Sequence, residues 1–244
     1  MRIEVAFAPA LLPETVGRVC VVIDVLRLTS AAVTMFGRGL EEALVVSTVE
    51  EASRRANDGL LLCGERGGLR PEGFNHGNSP AEFDRLDLRG RRAVLATTNG
   101  TSALVRAAAC PVVLVGSLLN LSAAARTAHA EATKRLLNVA LLCAGNGVGR
   151  YFSLEDAFCA GAFVAELIRL EPGAQLWSSS KAALRLYDSY RGDAGAAFRD
   201  SDHGASLKEL GFGEDLAFCA QRDRFAAVPA LERRSDGLWL RAGP

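Results

Sequence analysis

The sequence predicts an α/β fold, a β-sheet largely buried between helices, on three observations. Short runs rich in β-branched residues end in Gly, Asp or Thr, and each is followed by an Ala/Leu-rich amphipathic segment, the alternation of an α/β sheet. The runs VCVVIDV, VVLVG and NVALLCAG are almost continuously apolar. A sheet with one wet face would alternate polar and apolar residues, so these strands are expected to be covered on both faces. Finally, 244 residues of 49% hydrophobic character can bury roughly 70 to 75% of their unfolded surface, so the core needs no disulfide or metal scaffold.

Taken in order, strands are expected over residues 19–25, 43–48, 60–64, 92–97, 112–116 and 138–143. Helix starts carry their own chemistry. Thr48-Val49-Glu50-Glu51 and Ser153-Leu154-Glu155-Asp156 have the capping-box spacing or its acidic variant, and Ser79-Pro80 puts a cap before an N1 proline. Beyond Pro172 the strand rhythm weakens into helical stretches at 181–191, 205–211 and 214–222. A terminal hairpin is expected to turn at Ser235-Asp236-Gly237, between strands 225–231 and 238–241. No repeat or low-complexity linker is visible, so residues 1–244 read as one domain, or as two closely packed lobes dividing near 125–135.

Charge excludes some partners. The 28 Lys+Arg balance the 28 Asp+Glu, leaving no overall field to recruit nucleic acid or an anionic membrane. The basic residues are 25 Arg and 3 Lys, and Arg offers the planar fork that grips phosphate, sulfonate or carboxylate at two points. The six cysteines have no CxxC spacing and read as reduced core residues. With no basic start followed by an apolar stretch, and no apolar run long enough to span a bilayer, the expected location is cytoplasmic. An exposed apolar face could support a homodimer.

Ligands of open α/β sheets gather outside the carboxyl ends of the strands, and four polar stretches fall there. In the first, Asp24 ends a buried strand, with Arg27, Thr29 and Ser30 in the turn that opens the next helix. The carboxylate suits a hard cation such as Mg²⁺, and the guanidinium and helix-start N–H groups suit an oxyanion. A capping role for a lone Asp is the simpler alternative. The second, GERGGLRPEGFNHGNSP, carries Glu65 as a second cation ligand, Arg66 as an anion partner, and Gly67 and Gly68 for close backbone approach; His76 suits proton transfer or a surface role. The third, Thr97-Thr98-Asn99-Gly100-Thr101, is an anion cradle or an ordinary Asn-Gly turn. In the last, the turn from Ala144 to Arg150 leads to Glu155 and Asp156, which could complete a divalent-cation site or simply favour a helix dipole.

Several chemistries are disfavoured. A cysteine phosphatase needs five residues between Cys and Arg, whereas Cys20/Arg27, Cys63/Arg70 and Cys143/Arg150 each enclose six. Leu26 occupies the second Asp position of the DxDx[TV] phosphatase pattern, Gly-x-Ser-x-Gly is absent, and no stretch fits the GxxxxGK[ST] phosphate loop.

Together IDVLRLTSA, GERGGLRPEGFNHGNSP, TTNGT, GSLLNLSA, CAGN followed by FSLEDAFCAG, and GFGEDLAFCAQRD resemble the 2-phosphosulfolactate phosphatase family. The similarity runs in order from about residue 19 to 231. It implies a three-layer α/β/α fold with a mixed sheet, a Mg²⁺ cofactor, and hydrolysis of the phosphate ester of a 2-hydroxy acid. In the named case the product is 3-sulfolactate, on the route to coenzyme M. Two departures, Leu28 for a smaller residue and Asn75-His76 for Asp-Leu, bear on pocket shape, so another 2-phospho acid, or a silent anion-binding protein, stands as the alternative. The expected catalytic residues are Asp24, Arg27, Glu65 and Arg66, with Asp24, Glu65 and Asp156 as metal ligands. Thr29, Ser30, Gly67, Gly68, Asn78, Thr98, Asn99, Gly100, Thr101, Arg150 and His203 are expected to contact substrate, and His203 or His76 to protonate the leaving group.

Overall fold

The computed structural model describes residues 1–12, 15–55 and 59–243. Its strands are β1 (Arg2–Ala6), β2 (Arg18–Ile23), β3 (Glu42–Val46), β4 (Leu61–Gly64), β5 (Arg92–Ala96), β6 (Val112–Gly116), β7 (Asn138–Cys143), β8 (Gln175–Leu176), β9 (Pro229–Arg234) and β10 (Gly237–Ala242). They form one mixed sheet in the order β4-β5-β3-β10-β9-β6-β2-β7-β1-β8. Its helices are α1 (Leu28–Gly37), α2 (Val49–Ser53), α3 (Pro80–Phe83), α4 (Gly100–Ala107), α5 (Leu121–Arg135), α6 (Leu154–Leu170), α7 (Ser178–Ser189), α8 (Ala194–Asp200), α9 (Asp202–Glu209) and α10 (Gly213–Cys219).

The expected caps form: the side chains of Thr48, Ser79 and Ser153 accept from the N–H groups of Glu51, Glu82 and Asp156. The terminal hairpin also forms, with Leu231 opposite Leu240, but its first strand is Pro229–Arg234 rather than 225–231 and Gly237 already belongs to the second. The reading of strands had no place for β1, whose sequence RIEVA alternates polar and apolar residues although the strand is interior. Its Glu4 is buried and paired with Arg18, so ion pairing hides a polar residue where burial would call for an apolar one.

Two parallel blocks, β4-β5-β3 and β6-β2-β7-β1-β8, meet through the antiparallel β9-β10 hairpin. The side chains of β2 alternate as a doubly covered strand must. Val19, Val21 and Ile23 pack with α5 and α6 on one face, and Cys20 and Val22 pack with α1 and α4 on the other. Buried residues of both blocks, Cys63 and Leu95 from one and Val22 and Leu142 from the other, join this second cluster. The sheet thus wraps around α1 and α4. This curvature positions the site, because the hairpin makes the two blocks run in opposite senses and a flat sheet would put their carboxyl ends at opposite edges. Accumulated strand twist brings them together: the backbone N–H of Val148, beyond β7, donates to Asn99 Oδ1, beyond β5, at 2.9 Å.

Candidate active site

The carboxyl end of β2 supplies Asp24. Its backbone N–H donates to Thr29 Oγ1 at 3.1 Å, the Thr29 hydroxyl donates to the Asp24 carbonyl at 2.9 Å, and the Leu28 N–H reaches its carboxylate at 3.4 Å. Ser30 Oγ donates to the Val25 carbonyl. The hydroxyls of Thr29 and Ser30 are therefore spent shaping the β2-α1 turn. Gly100, at the start of α4, lies directly over Asp24, and a Cβ there would overlap Asp24 Oδ2 and Leu28. Its smallness makes room for the acid. Thr101 Oγ1 closes the first turn of α4 onto the Thr97 carbonyl at 2.6 Å.

Glu65, just past β4, is gripped at both oxygens: the Thr98 N–H donates to Oε1 at 2.6 Å and the Gly68 N–H to Oε2 at 2.9 Å. Gly64 permits this crossing, since at φ +156° its Cα lies against the Ala96 carbonyl with no space for a side chain. Arg66 turns elsewhere. Its guanidinium donates to the carbonyls of Glu65 and Ser47, at 2.8 and 2.9 Å, outside the cavity. His76 pairs through Nδ1 with Glu82 at 2.6 Å and also does not line the cavity.

At the end of β7, Asp156 accepts from the N–H groups of Val25 at 2.8 Å and Gly145 at 3.2 Å. It thereby clasps the β2 and β7 loops together. Its neighbour Glu155 is equally buried, and Glu155 Oε2 makes no hydrogen bond among the described residues. Arg150 is exposed and lies outside the cavity wall.

The remaining wall comes from the C-terminal helices. Asp202, His203, Ser206, Leu207 and Leu210 line it from α9 and its end. Arg27, only 3% exposed, is pinned across this junction. Nη1 donates to Asp215 of α10 at 2.8 Å, Nη2 donates to the Gly68 carbonyl at 2.7 Å, and the guanidinium lies 4.2 Å from the centre of the Phe212 ring.

These walls enclose a cavity of about 480 Å³, within the range of small-molecule sites. It brings together Asp24, Arg27, Glu65, Gly67, Gly68, Asn78, Thr98, Asn99 and His203 from the expected set. Thr29, Ser30, Gly100, Thr101 and Asp156 stand behind it as supports. Residues missed by sequence reasoning include Asp215 and the apolar wall formed by Leu26, Tyr151, Phe152 and Leu210. Asp215 lies in the GFGEDLAFCAQRD stretch that carries the family resemblance, but its residue type there reads as an acid in the first turn of a helix, which usually serves the helix dipole.

The electrostatics are dominated by crowded acids. Burial pushes the Asp24 carboxyl up to about 7, Glu65 and Glu155 add to the effect, and the Leu28 N–H and Arg27 oppose it. Burial, then Asp24 and Glu155, raise Asp156 well above the usual carboxylate range. Arg27, the guanidinium that acts on Asp24, is itself ion-paired with Asp215. By contrast, burial pushes the thiols of Cys63, Cys143, Cys159 and Cys219 up, away from nucleophilic thiolate.

Among the described residues, no three His, Cys, Asp or Glu side chains form a ready-made metal cage. Mg²⁺ does not require one, since it commonly uses one or two carboxylates with waters and substrate phosphate. The donor set fits such a hard cation: Asp24 and Glu65 line the cavity, and the buried Glu155 Oε2, Asn78 Oδ1 and Thr98 Oγ1 have no hydrogen-bond partner among the described residues.

The family model for 2-phosphosulpholactate phosphatase matches residues 6–234. A protein of Thermotoga maritima named "Probable 2-phosphosulfolactate phosphatase" is 39% identical over 229 residues, 94% of this chain and 95% of that protein. Proteins of the same name from Deinococcus radiodurans and Gloeobacter violaceus are 40% identical over 221 residues and 35% identical over 233 residues. They cover 89% of both chains and 94% of both chains, respectively. This extent of similarity, spanning every strand end that builds the cavity, makes the chain a phosphoric monoester hydrolase of the 2-phosphosulfolactate phosphatase family.

Proposed function

We propose that the chain is a Mg²⁺-dependent phosphatase of 2-phospho-hydroxy acids, with 2-phosphosulfolactate, converted to 3-sulfolactate and inorganic phosphate, as its first candidate substrate. The observation that carries this reading is the charge arrangement around Asp24. Buried acids meet one guanidinium that is already paired with Asp215, so a cation bound among them would offset the charge that a polyanionic phosphate ester brings in. Asp24 and Glu65, with Glu155 behind them, would hold Mg²⁺, whose positive charge would offset the negative charge of the phosphoryl group. The relatives' names support the choice of substrate. That choice would place the enzyme in coenzyme M biosynthesis, in the cytoplasm.

The protein's part in the reaction is positioning and electrostatic stabilisation, as the loose transition state of phosphoryl transfer requires. Arg27 directs its remaining N–H groups to the phosphoryl oxygens. The N–H groups of Gly68 and Thr98 hold the Glu65 carboxylate in place. His203, on the facing wall, binds the ester's second acidic group or protonates the alkoxide as the P–O bond breaks. The attacking oxygen belongs either to water or to Asp24, and recovery of acid-stable label on the protein after quenching with radiolabelled substrate separates the two routes.

The test is phosphate release from a panel of 2-phospho acids, with Mg²⁺ and with chelator. Release that is lost in chelator and restored by Mg²⁺ is expected. Saturable binding of the esters without release under any condition would replace this reading with an anion-binding protein.

A further inference from the structure

We infer that Asp215 is a positioning residue that fixes the guanidinium of Arg27 in the cavity wall and couples it to the glycine-rich loop. The inference rests on the role given to Arg27 in the proposed function. A long, flexible side chain such as Arg loses several rotatable bonds when ordered, and its direction must be set by its partners. Here three partners set it from three directions. Asp215 takes Nη1 at 2.8 Å, the Gly68 carbonyl takes Nη2 at 2.7 Å, and the Phe212 ring covers the flat face at 4.2 Å. A guanidinium carries five N–H donors, so those not used here remain for a ligand in the cavity that Arg27 lines.

Asp215 does more than pair. It is 1% exposed and its other oxygen, Oδ1, accepts from Ser79 Oγ at 2.6 Å and from the Ala81 N–H at 3.3 Å, at the far end of the loop whose near end supplies Glu65 and Gly68. One buried carboxylate thus holds the catalytic arginine, the start of α3 and, through Arg27, the Gly68 carbonyl. Gly68 reaches this position at φ +83°, and a Cβ there would press on Leu210 of the same wall. The position of the loop and the orientation of Arg27 are therefore set through one carboxylate. Removing the Asp215 charge takes away the ion-pair partner of the buried guanidinium and leaves the Gly68 carbonyl and the Phe212 ring to hold it.

The test empties the guanidinium position and refills it from solution. Arg27→Ala is prepared alone and with Asp215→Asn, and guanidinium chloride at millimolar concentration is titrated into each by calorimetry. Guanidinium is expected to bind Arg27→Ala saturably and to bind the double variant roughly tenfold more weakly, since a charge-assisted partner is lost. It is also expected to restore phosphate release only in the single variant. Equal binding and equal rescue in both overturn the inference. Because the calorimetry needs no turnover, it stands even where the activity panel fails, which separates failure of this inference from failure of the proposed function.

Should Arg27→Ala not fold, Asp215→Asn and Phe212→Leu in the otherwise intact chain carry the test. Each is expected to raise KM for the phosphate ester, and the inhibition constant of inorganic phosphate, roughly tenfold with kcat changed far less. Unchanged KM and phosphate inhibition in folded Phe212→Leu and Asp215→Asn proteins overturn the inference.

Discussion

The cavity has two walls of different origin. One is made by strand-end loops, where Asp24, Glu65, Thr98 and Asn146 follow β2, β4, β5 and β7. The other is made by side chains of short C-terminal helices, Asp202, His203, Ser206, Leu207 and Leu210, with Phe212 and Asp215 behind them. On the first wall backbone N–H groups hold the carboxylates, as for Glu65, and glycines remove obstructions, as at Gly64 and Gly100. On the second, side chains hold other side chains. The proposed function puts the metal-holding acids on the strand-end wall and gives the helical wall the orienting of Arg27 and the contacts of His203.

Asp24→Asn is the sharpest way to break this division, because it keeps the shape of the strand-end wall and removes its charge. Turnover is expected to fall roughly a thousandfold, measured as phosphate release at saturating Mg²⁺. Near-normal turnover would move the reactive centre away from β2. The same variant removes a pH effect on stability. The Asp24 carboxyl is raised from 3.8 to about 7 in the fold, so between these values the native state holds a proton that the unfolded state has released. Stability is complete below the unfolded value and lost as pH rises through about 7. In chelator, wild-type Tm is expected to drop between pH 5 and pH 8 by roughly 5 °C more than that of Asp24→Asn. Parallel curves for the two proteins would show that burial does not trap the proton.

Arg27→Ala comes next, since Arg27 belongs to both walls. A loss of about 2 kcal/mol in transition-state binding, or roughly thirtyfold in kcat/KM, is expected from removal of a charge-assisted donor. On the helical wall, His203→Ala is expected to raise KM roughly tenfold for substrates with a second acidic group and to have little effect on those without one. An equal effect on both would assign His203 to proton transfer. Arg66→Ala should change kcat/KM by no more than about twofold, because its guanidinium serves the carbonyls of Glu65 and Ser47.

Legibility in the sequence follows the same line. The ends of β2, β4, β5 and β7 could be found because an apolar run stops abruptly at a polar residue, and that break marks the edge of the sheet. Asp24, Glu65 and Thr98 were visible for this reason. What each polar residue does once there depends on its neighbours. Arg66 is adjacent to Glu65 in sequence, yet in an extended segment successive side chains point apart, and it leaves the cavity. Asp156 was expected beside Asp24 and Glu65 as a metal ligand, but where those two line the cavity it stands behind the wall and joins the Val25 and Gly145 N–H groups. Asp215 lies 188 residues from Arg27 and carried no pattern linking the two.

By itself, then, the sequence determined the local facts: where the central apolar strands end, which caps open the helices, that those strands are covered on both faces, and which acids stand at their ends. These follow from short-range periodicity and turn chemistry. Only the tertiary structure decided that two blocks of opposite direction curl around α1 and α4 until their carboxyl ends meet, and that α9 and α10 close the far side. Those outcomes depend on twist summed over many strands and on contacts between residues far apart in the chain, which no local window contains.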